Sequence, residues 1–596
     1  MTRKEELIRG WGNAISVVKK GFLCLLAALL VTGCSDFLYE DSDQVLYADK
    51  EHLTTDADTL WSVAGIMNKI QVIADRTILL GEVRGDLVDI TSNASADLRQ
   101  LALFDVDSDN QYNSPRDYYS IINNCNYFIA KADTSLKNNR NEFIFMKEFA
   151  AVKAYRAWTY LQLALNYQKV PFVTQPIMTK DDSEREYPMY GIKEICDYFI
   201  ADIAPYADME TPGYNYIRNT NSKLFYFPIY ILLGDLNLWA GNYREAALNY
   251  YKYLSTRNGS NTTTPLSTNA VRFSANDSHW MSTLDTWTMP SFDNEAGGAN
   301  SELITMIPGD SIPSEGEYSE LRNLFNTNEN NEYKVSIIPS QSIIDLSAAQ
   351  KYYHYTTGGE FVISPEGLDG YRTGDLRLQA VYNTTDNANI MLNGKRVKNY
   401  TTLRKYNSRN VHVYRRTIVY LRLAEALNRA GFPRFAFMIL KQGVNNNVIA
   451  NEILPYYPAD VDWLRNFDFP NNNYVIETTA GLGSENTMGI HSRGCGYSAY
   501  NDLYVMPDDS TLTDQGKRLE YQIDKVEEMI VNEEALELAF EGHRFYDLMR
   551  VALRRNDPAF LARRIYQRRG ADQESTMRTL IKADLTNTDN WYLKLE

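Results

Sequence analysis

One stretch near the C-terminus, EALELAFEGHRFYDLMR at residues 534–550, collects glutamates, a histidine, an aspartate and two arginines. Side chains of these types perform acid–base catalysis or bind charged ligands, so the stretch is a candidate for chemistry. Placed on a helix over residues 531–552, its apolar positions recur at steps of three and four residues. They are Val531, Ala535, Leu538, Gly542, Phe545, Met549 and Ala552. This pattern predicts a helix that packs against the core.

The charged residues of the same stretch fall beside that apolar stripe. Glu541 and Arg544 are three positions apart, His543 and Asp547 are four apart, and Asp547 and Arg550 are three apart. Helical side chains at these separations pair with one another. Gly542 inside the stripe indicates close contact with a second helix. Because no nucleophile or metal-ligand spacing accompanies them, we predict a packing helix tied by ion pairs, with catalysis as the alternative.

The rest of the sequence contains no pattern of residues typical of a metal or cofactor site. His491 and Cys495 stand four apart but lack a third ligand, and no CxxC spacing occurs. We therefore predict no cofactor. The formal net charge of −16 argues against nucleic-acid binding, because a nucleic-acid partner is itself anionic.

The N-terminus indicates export and anchoring. Basic residues precede the apolar run GFLCLLAALLV at residues 21–31, which is too short to span a bilayer and is typical of a signal peptide. The run ends in VTGC, which resembles a bacterial lipobox, so we expect cleavage after residue 33 and lipidation of Cys34. Acyl chains on that cysteine would hold the protein on a membrane. An ordinary secretory signal is the alternative.

Helical hairpins are predicted at two places. In PIYILLGDLNLWAGNYREAALNYYKYL, small and large residues from Leu233 to Tyr250 have the spacing of a tetratricopeptide repeat, and Gly241 falls at the turn. The stretch RLAEALNRAGFPRFAFMILKQ repeats that spacing around Gly431. Between the two copies, residues 255–400 are polar and loop-rich, as are residues 447–515, and long loops of this kind usually carry function.

With these features together, the chain resembles the RagB/SusD family. Its C-terminal hallmark, roughly E-R-R-x-E-L-x-F-E-G-x-R-x-x-D-L-x-R, is matched at Glu533, Glu537, Leu538, Phe540, Glu541, Gly542, Arg544, Asp547, Leu548 and Arg550. Glu534 and Ala535 stand where the family has arginines. Further matches follow in the expected order: the lipobox, KAYRAWTYLQLALNYQKVPFV, LGDLNLWAGNYREAA, GDLRLQAVY, LRLAEALNRAG and a terminal NWYL.

The resemblance implies a mostly α fold: a tetratricopeptide-like helical-repeat scaffold that carries a loop-rich, irregular ligand-binding face. It implies a signal peptide at 1–33, an N-terminal helical region at 34–254, and a C-terminal region with loop insertions and closing helices at 255–596. Family members are lipid-anchored outer-membrane proteins of the Bacteroidetes cell surface. They deliver oligosaccharides, or in some cases oligopeptides, to a SusC-like TonB-dependent transporter and are not enzymes.

Sugar binding would use aromatic rings and polar side chains. We expect Trp280 and Trp287 to contact ligand, because they lie in a polar segment with no helical stripe, followed by Tyr352, Tyr353, Tyr355 and Trp463. The alternative is that each ring covers a local loop cluster. The segment LLGEVRGDLVD resembles in position the family's polar contact segment, which implies roles for Arg84, Asp86 and Asp89. A solvated, self-paired charge group is the alternative there.

Three other functions remain open on the sequence. They are capture of oligopeptides, a surface glycoside hydrolase that uses a carboxylate pair, and a repeat scaffold that binds only protein.

Overall fold

The structure is a computed structural model that describes residues 56–217, 220–256, 302–310, 314, 316–355, 361–364, 374–375, 377–385, 391–392, 395–396, 400–406, 408–469, 489–495 and 503–595. All of them belong to one unit, Leu53–Glu596. No helix among these residues has the length and apolar character needed to cross a bilayer.

The first part of the described chain is mostly helical. Its helices are α1 Asp56–Val72, α2 Ala74–Glu82, α3 Ala96–Ala102, α4 Pro115–Lys131, α5 Met146–Tyr167, α6 Lys180–Ser183, α7 Ile192–Ile203, α8 Ile229–Ala240 and α9 Tyr243–Thr256. The strands between them are short: β1 Val88–Ile90, β2 Val170–Pro171, β3 Met189–Tyr190, β4 Tyr216–Ile217 and β5 Thr220–Asn221.

Strands are more frequent in the middle of the chain. They are β6 Leu303–Ile307, β7 Ile337–Pro339, β8 Tyr352–Tyr355, β9 Phe361–Ser364, β10 Tyr382–Thr385, β11 Met391–Leu392, β12 Lys395–Arg396, β13 Tyr400–Leu403 and β14 Val411–Arg415. The helices among them are α10 Leu321–Phe325, α11 Gln341–Ala348 and α12 Arg377–Val381. All described strands form two-stranded antiparallel ladders, in the pairs β1–β7, β2–β3, β4–β5, β6–β14, β8–β9, β10–β13 and β11–β12.

The last part is helical again. Its helices are α13 Arg416–Arg429, α14 Pro433–Lys441, α15 Asn446–Val448, α16 Val461–Leu464, α17 Ser492–Cys495, α18 Gln515–Leu538, α19 Arg544–Arg555, α20 Pro558–Tyr566 and α21 Glu574–Leu580. The mostly α fold class is thereby confirmed. The division of the mature chain at residues 254 and 255 stays a prediction.

Both predicted helical hairpins are present, as α8–α9 and α13–α14. Gly241 and Gly431 have φ values of 85° and 98°, which place them in the left-handed region where glycine ends a helix without steric cost. A Cβ on Gly234 of α8 would overlap the ring of Tyr250 on α9, so the small residue admits the large one. Helices α9 and α13 also pack together, which joins the two hairpins.

One hydrophobic core contains residues from both hairpins and from α18 and α19. Cys125, Cys196 and Cys495 are free thiols buried in this core, as small apolar residues often are. The core therefore holds the C-terminal helices, and with them the charged stretch, against the helical scaffold.

Candidate functional site: a buried charge network and a surface cavity

The charged C-terminal stretch forms two helices, so the single helix predicted over 531–552 is wrong. Helix α18 ends at Leu538, α19 begins at Arg544, and Phe540 and Gly542 between them have φ values of 73° and 84°. A Cβ on Gly81 of α2 would overlap the carbonyl oxygen of Gly542. The predicted close contact of Gly542 with a second helix is confirmed, and the same contact explains the break, because the chain turns where it meets α2.

Glutamates of α18 are paired with arginines from distant parts of the chain. Glu537 is fully buried and accepts hydrogen bonds from Arg377, Arg415 and Arg493 at 2.9, 3.0 and 2.7 Å. Burial alone would raise the pKa of Glu537, but these three guanidinium groups lower it far below its ordinary value. We define the charge network as Glu302, Asp375, Arg377, Lys405, Arg415, Arg493, Glu533, Glu537 and Glu541.

Glu541 connects the break to this network. Its carboxylate accepts from Lys405 Nζ at 2.5 Å and from Arg415 Nε at 2.7 Å. Burial opposes ionisation of Glu541, yet Arg415 and Lys405 hold its pKa at about 2. A carboxyl group with so low a pKa holds no proton to donate near neutral pH, which argues against a role as a general acid.

Of the three predicted local ion pairs, the structure confirms one, between Asp547 and Arg550. Arg550 donates to Asp547 at 2.6 Å, and it also binds Glu425 at 2.9 Å. Arg544 instead binds Asp86 at 2.5 Å, across 458 positions of sequence. The motif residues Glu541, Gly542, Arg544, Asp547 and Arg550 are all buried, which favours the predicted packing role.

A small cavity does reach this motif, but it is too small for a sugar. Its volume is about 50 Å³, and Trp239, Arg422, Glu541 and His543 are among its lining residues. A single water requires roughly 10–15 Å³, so the cavity accommodates a few waters. Burial and Arg422 lower the pKa of His543 to about 3, so its imidazole is neutral near pH 7.

Arg84 and Asp86, for which the resemblance implies ligand contact, lie inside the protein. Arg84 is 1% exposed and Asp86 is 2% exposed. Asp86 is bound to Arg544, and Asp89 is bound to Arg569 at 2.6 Å. This geometry differs from a solvated, self-paired group, because Asp86 and Asp89 pair with arginines from the C-terminal part of the chain and Asp86 is buried.

The aromatic candidates have different surroundings. Trp463 is half-buried and stacks on Phe432 with ring centroids 5.0 Å apart, and the guanidinium of Arg244 lies 5.0 Å from the Trp463 ring. These contacts favour the local-cluster alternative for Trp463. Tyr352, Tyr353 and Tyr355 lie on β8, which pairs with β9. Trp280, Trp287 and Cys34 lie outside the described residues, and their roles stay predictions.

A larger cavity opens where sequence reasoning did not place a site. It has a volume of about 800 Å³ and is lined by α1, the β4–β5 hairpin and residues 308–310 and 316–317, and we call it the rim cavity. Its lining residues include Met67, Asn68, Lys69, Gln71, Val72, Tyr214, Ile217, Glu317 and Asn410. Val72 and Ile217 are 38% and 42% exposed, and Tyr216, beside Ile217 on the hairpin, is 66% exposed.

The rim cavity offers apolar surface together with amide and charged groups. The phenol of Tyr214 is held in place because it donates to Glu148 at 2.8 Å. A smaller cavity of about 70 Å³ shares Gln71 and Val72 with it and adds Tyr318, over which Arg409 stacks at 3.7 Å. The signal for this site was an aromatic pair in the polar segment TPGYNYIRNTN, which carries no helical stripe.

Known proteins with a similar sequence segment or a similar structure have the same fold as this chain. Residues 505–592 match the model of the SusD family. A SusD superfamily protein from Bacteroides vulgatus ATCC 8482 is 15% identical, with a TM-score of 0.54 over 91% of this chain and 96% of that chain. A SusD superfamily protein from Bacteroides thetaiotaomicron VPI-5482 is 16% identical, with a TM-score of 0.50 over 89% of this chain and 98% of that chain.

A third similar structure has a name that concerns function. It is a Bacteroides vulgatus ATCC 8482 protein whose name proposes that it binds sugar, and it is 16% identical, with a TM-score of 0.50 over 84% of this chain and 88% of that chain. None of the curated proteins matches this chain significantly. At these identities the structural likeness establishes the fold.

Proposed function

We propose that this chain, a member of the SusD/RagB family, binds oligosaccharides at the cell surface without cleaving them. The observation that carries the proposal is the rim cavity, an open site with apolar, amide and charged groups on a helical scaffold. The buried state of the C-terminal stretch supports a non-catalytic role, because its carboxylates are engaged by arginines and lysine.

The chemistry of a sugar fits such a site. A pyranose ring has C–H faces that pack on apolar and aromatic side chains, which Val72, Tyr214 and Ile217 offer. Its hydroxyl groups exchange hydrogen bonds with groups such as the side chains of Asn68 and Lys69. Sites of this kind bury little area and remain wet, so affinity is modest, and modest affinity permits release of the cargo. Trp280, Trp287 and the tyrosines of β8 stay predicted ligand contacts.

The same proposal includes an anchor and a partner. Lipidation of Cys34 would hold the protein on the outer membrane, and a SusC-like TonB-dependent transporter would receive the oligosaccharide. Cys34→Ala should move the protein from the membrane fraction to the soluble fraction. If the variant stays with the membrane, the anchor at Cys34 is refuted.

Titration of the purified chain from residue 35 onward against panels of glycans and peptides tests the ligand class. We expect a glycan to bind without the appearance of new reducing ends, and Val72→Ala and Ile217→Ala to weaken that binding. Ile344→Ala is the matched control, because Ile344 is 42% exposed, as Ile217 is, but does not line the rim cavity.

Other outcomes would identify other functions. New reducing ends would indicate a glycoside hydrolase, and binding of peptides alone would indicate oligopeptide capture. A chain that binds neither class would have to be a scaffold for protein partners, and the proposal would be withdrawn.

A further inference from the structure

A second cavity of about 310 Å³ lies between the C-terminal segment, residues 104–106 and the end of α5. We call it the Arg84 cavity. Its lining residues are Arg84, Phe104, Asp105, Val106, Tyr167, Gln168, Ala583, Asp589, Asn590, Trp591, Tyr592, Leu593 and Lys594. None of these residues lines the rim cavity, and the volume lies at the lower end of the range for small-molecule sites.

The buried end of this cavity carries a positive charge that meets no carboxylate among the described residues. Arg84 donates to the carbonyl oxygens of Leu80 and Trp591 at 2.7 and 3.0 Å and to the side-chain oxygen of Asn166, and its guanidinium lies 4.3 Å from the ring centre of Phe545. All of these partners are neutral. Other buried arginines, such as Arg377 and Arg544, instead face carboxylates.

Tyr167 adds a second feature at the same end. It is 3% exposed, and its phenol oxygen has no hydrogen-bond partner within the described part of the chain. A buried hydroxyl without a partner is unfavourable, and a ligand that accepts its proton would remove that cost. Burial raises the pKa of Tyr167, and the guanidinium groups of Arg76 and Arg84 oppose that shift by less.

The exposed end of the cavity has a different character. Asp105, Asp589 and Lys594 are exposed there, and Gln168 donates to Asp589 at 3.0 Å. The two carboxylates accept hydrogen bonds from hydroxyl groups but repel a second anion. The cavity therefore offers donors and positive charge inside, and two carboxylate acceptors together with the ammonium group of Lys594 outside.

We propose that the Arg84 cavity binds a hydroxylated carboxylic acid of the sugar-acid class, with its carboxylate at Arg84 and Tyr167 and its hydroxyls toward Asp105 and Asp589. A charged group with hydrogen-bond donors already in place binds a carboxylate more strongly than neutral donors alone. The site is separate from the rim cavity, so it adds a preference for acidic sugars to whatever neutral glycan the rim cavity takes.

The test uses calorimetry and thermal unfolding of the chain from residue 35 with D-glucuronate, D-glucose, acetate and inorganic phosphate as probes. We expect D-glucuronate to bind and to raise Tm, with D-glucose and acetate at least about tenfold weaker. Tyr167→Phe should weaken D-glucuronate binding about tenfold, since it removes one hydrogen bond to a charged group. It should leave Tm without ligand unchanged, because the phenol has no partner to lose within the described residues.

Two controls keep the result interpretable. Tyr198→Phe changes a partly exposed tyrosine that does not line this cavity and should leave D-glucuronate binding unchanged. Arg84→Lys keeps the charge but not the planar donor set and should weaken binding further, provided its circular dichroism matches that of the unmodified chain. Neutral-glycan binding at the rim cavity should be unaffected by Tyr167→Phe, which separates this proposal from the proposed function.

The remaining outcomes overturn the proposal. If no anion binds, the cavity is not an anion site. If acetate or phosphate binds as tightly as D-glucuronate, the site is a general anion site and not one for sugar acids. If Tyr167→Phe and Tyr198→Phe behave alike, binding occurs elsewhere.

Discussion

The charge network and the rim cavity both contain charged side chains, but these side chains differ in burial and in their partners. In the charge network, Glu537 and Arg415 are at most 1% exposed, and each has several charged partners. In the rim cavity, Asn68 and Lys69 are exposed, and exposed apolar side chains lie beside them. A charge that has lost its water must be paired within the protein, whereas a polar group that keeps its water can exchange it for a ligand. Burial, rather than residue type, therefore separates the charge network from the proposed binding site.

The largest effect is expected from breaking the charge network. Glu537→Gln should lower the free energy of unfolding by about 3–5 kcal/mol, because three arginines lose the charge they share. Urea unfolding followed by circular dichroism measures this loss. Glu574→Gln is the control, since its pair with the exposed Arg578 should contribute at most about 1 kcal/mol. Equal effects of the two changes would contradict the distinction between the regions.

The contact between α2 and the break at 539–543 can be tested with glycine substitutions. Gly81→Ala would place a Cβ against the backbone of Gly542, so we expect a loss of about 3 kcal/mol or more in unfolding free energy. Gly65→Ala lies in helix α1 with nothing within 4 Å of its Cβ and should be neutral or stabilise by up to about 1 kcal/mol. A tolerated Gly81→Ala would mean that the two segments are not in close contact.

The pH dependence of stability should report on Glu82. Burial raises the pKa of Glu82 to about 7, even though the backbone N–H groups of Gly542 and Phe540 bind its carboxylate. The folded chain therefore holds this proton more tightly than the unfolded chain, whose carboxyl has its ordinary value of 4.5. The resulting stability is complete below pH 4.5 and is lost as the pH rises through 7.

Comparison with Glu82→Gln isolates this contribution, because the amide does not titrate. Between pH 5 and pH 8, the unfolding free energy of the unmodified chain should fall by about 2–3 kcal/mol relative to the variant. Urea unfolding at several pH values gives both curves. Parallel curves would show that Glu82 does not titrate in this window.

The smallest effect is expected in the rim cavity. Asn68→Ala should weaken glycan binding by roughly fivefold to tenfold, since one hydrogen bond contributes about 1 kcal/mol, and should change unfolding free energy by less than about 0.5 kcal/mol. Calorimetric titration and urea unfolding measure the two quantities. A variant that loses stability but not affinity would place Asn68 with the structural residues.

The sequence predicted the features that depend on neighbours along the chain. Both helical hairpins were predictable from the spacing of small and large residues. Gly234 and Tyr250, for example, contact each other across two helices that are adjacent in sequence, and Gly241 lies on the turn between them. The break at Phe540 was not, because the apolar stripe continues through it and the cause, the contact of Gly542 with Gly81, is remote in sequence. The partners of Glu541 and Arg544 were missed for the same reason: Lys405, Arg415 and Asp86 come from other parts of the chain. The rim cavity combines α1 with a hairpin and with residues 308–310 and 316–317, and periodicity does not reveal such combinations.

The hydrogen bond from the Gly542 amide to Glu82, at 2.9 Å, joins residues 460 positions apart. During synthesis α2 emerges long before its counterpart exists, so the carboxylate of Glu82 and the arginines of the charge network stay hydrated until the C-terminal helices arrive. Contacts of such high sequence separation slow folding and leave apolar surface exposed in the meantime. Packing of the C-terminal helices therefore completes the assembly of the fold. A nascent chain that stops before residue 533 should remain a substrate for chaperones and proteases.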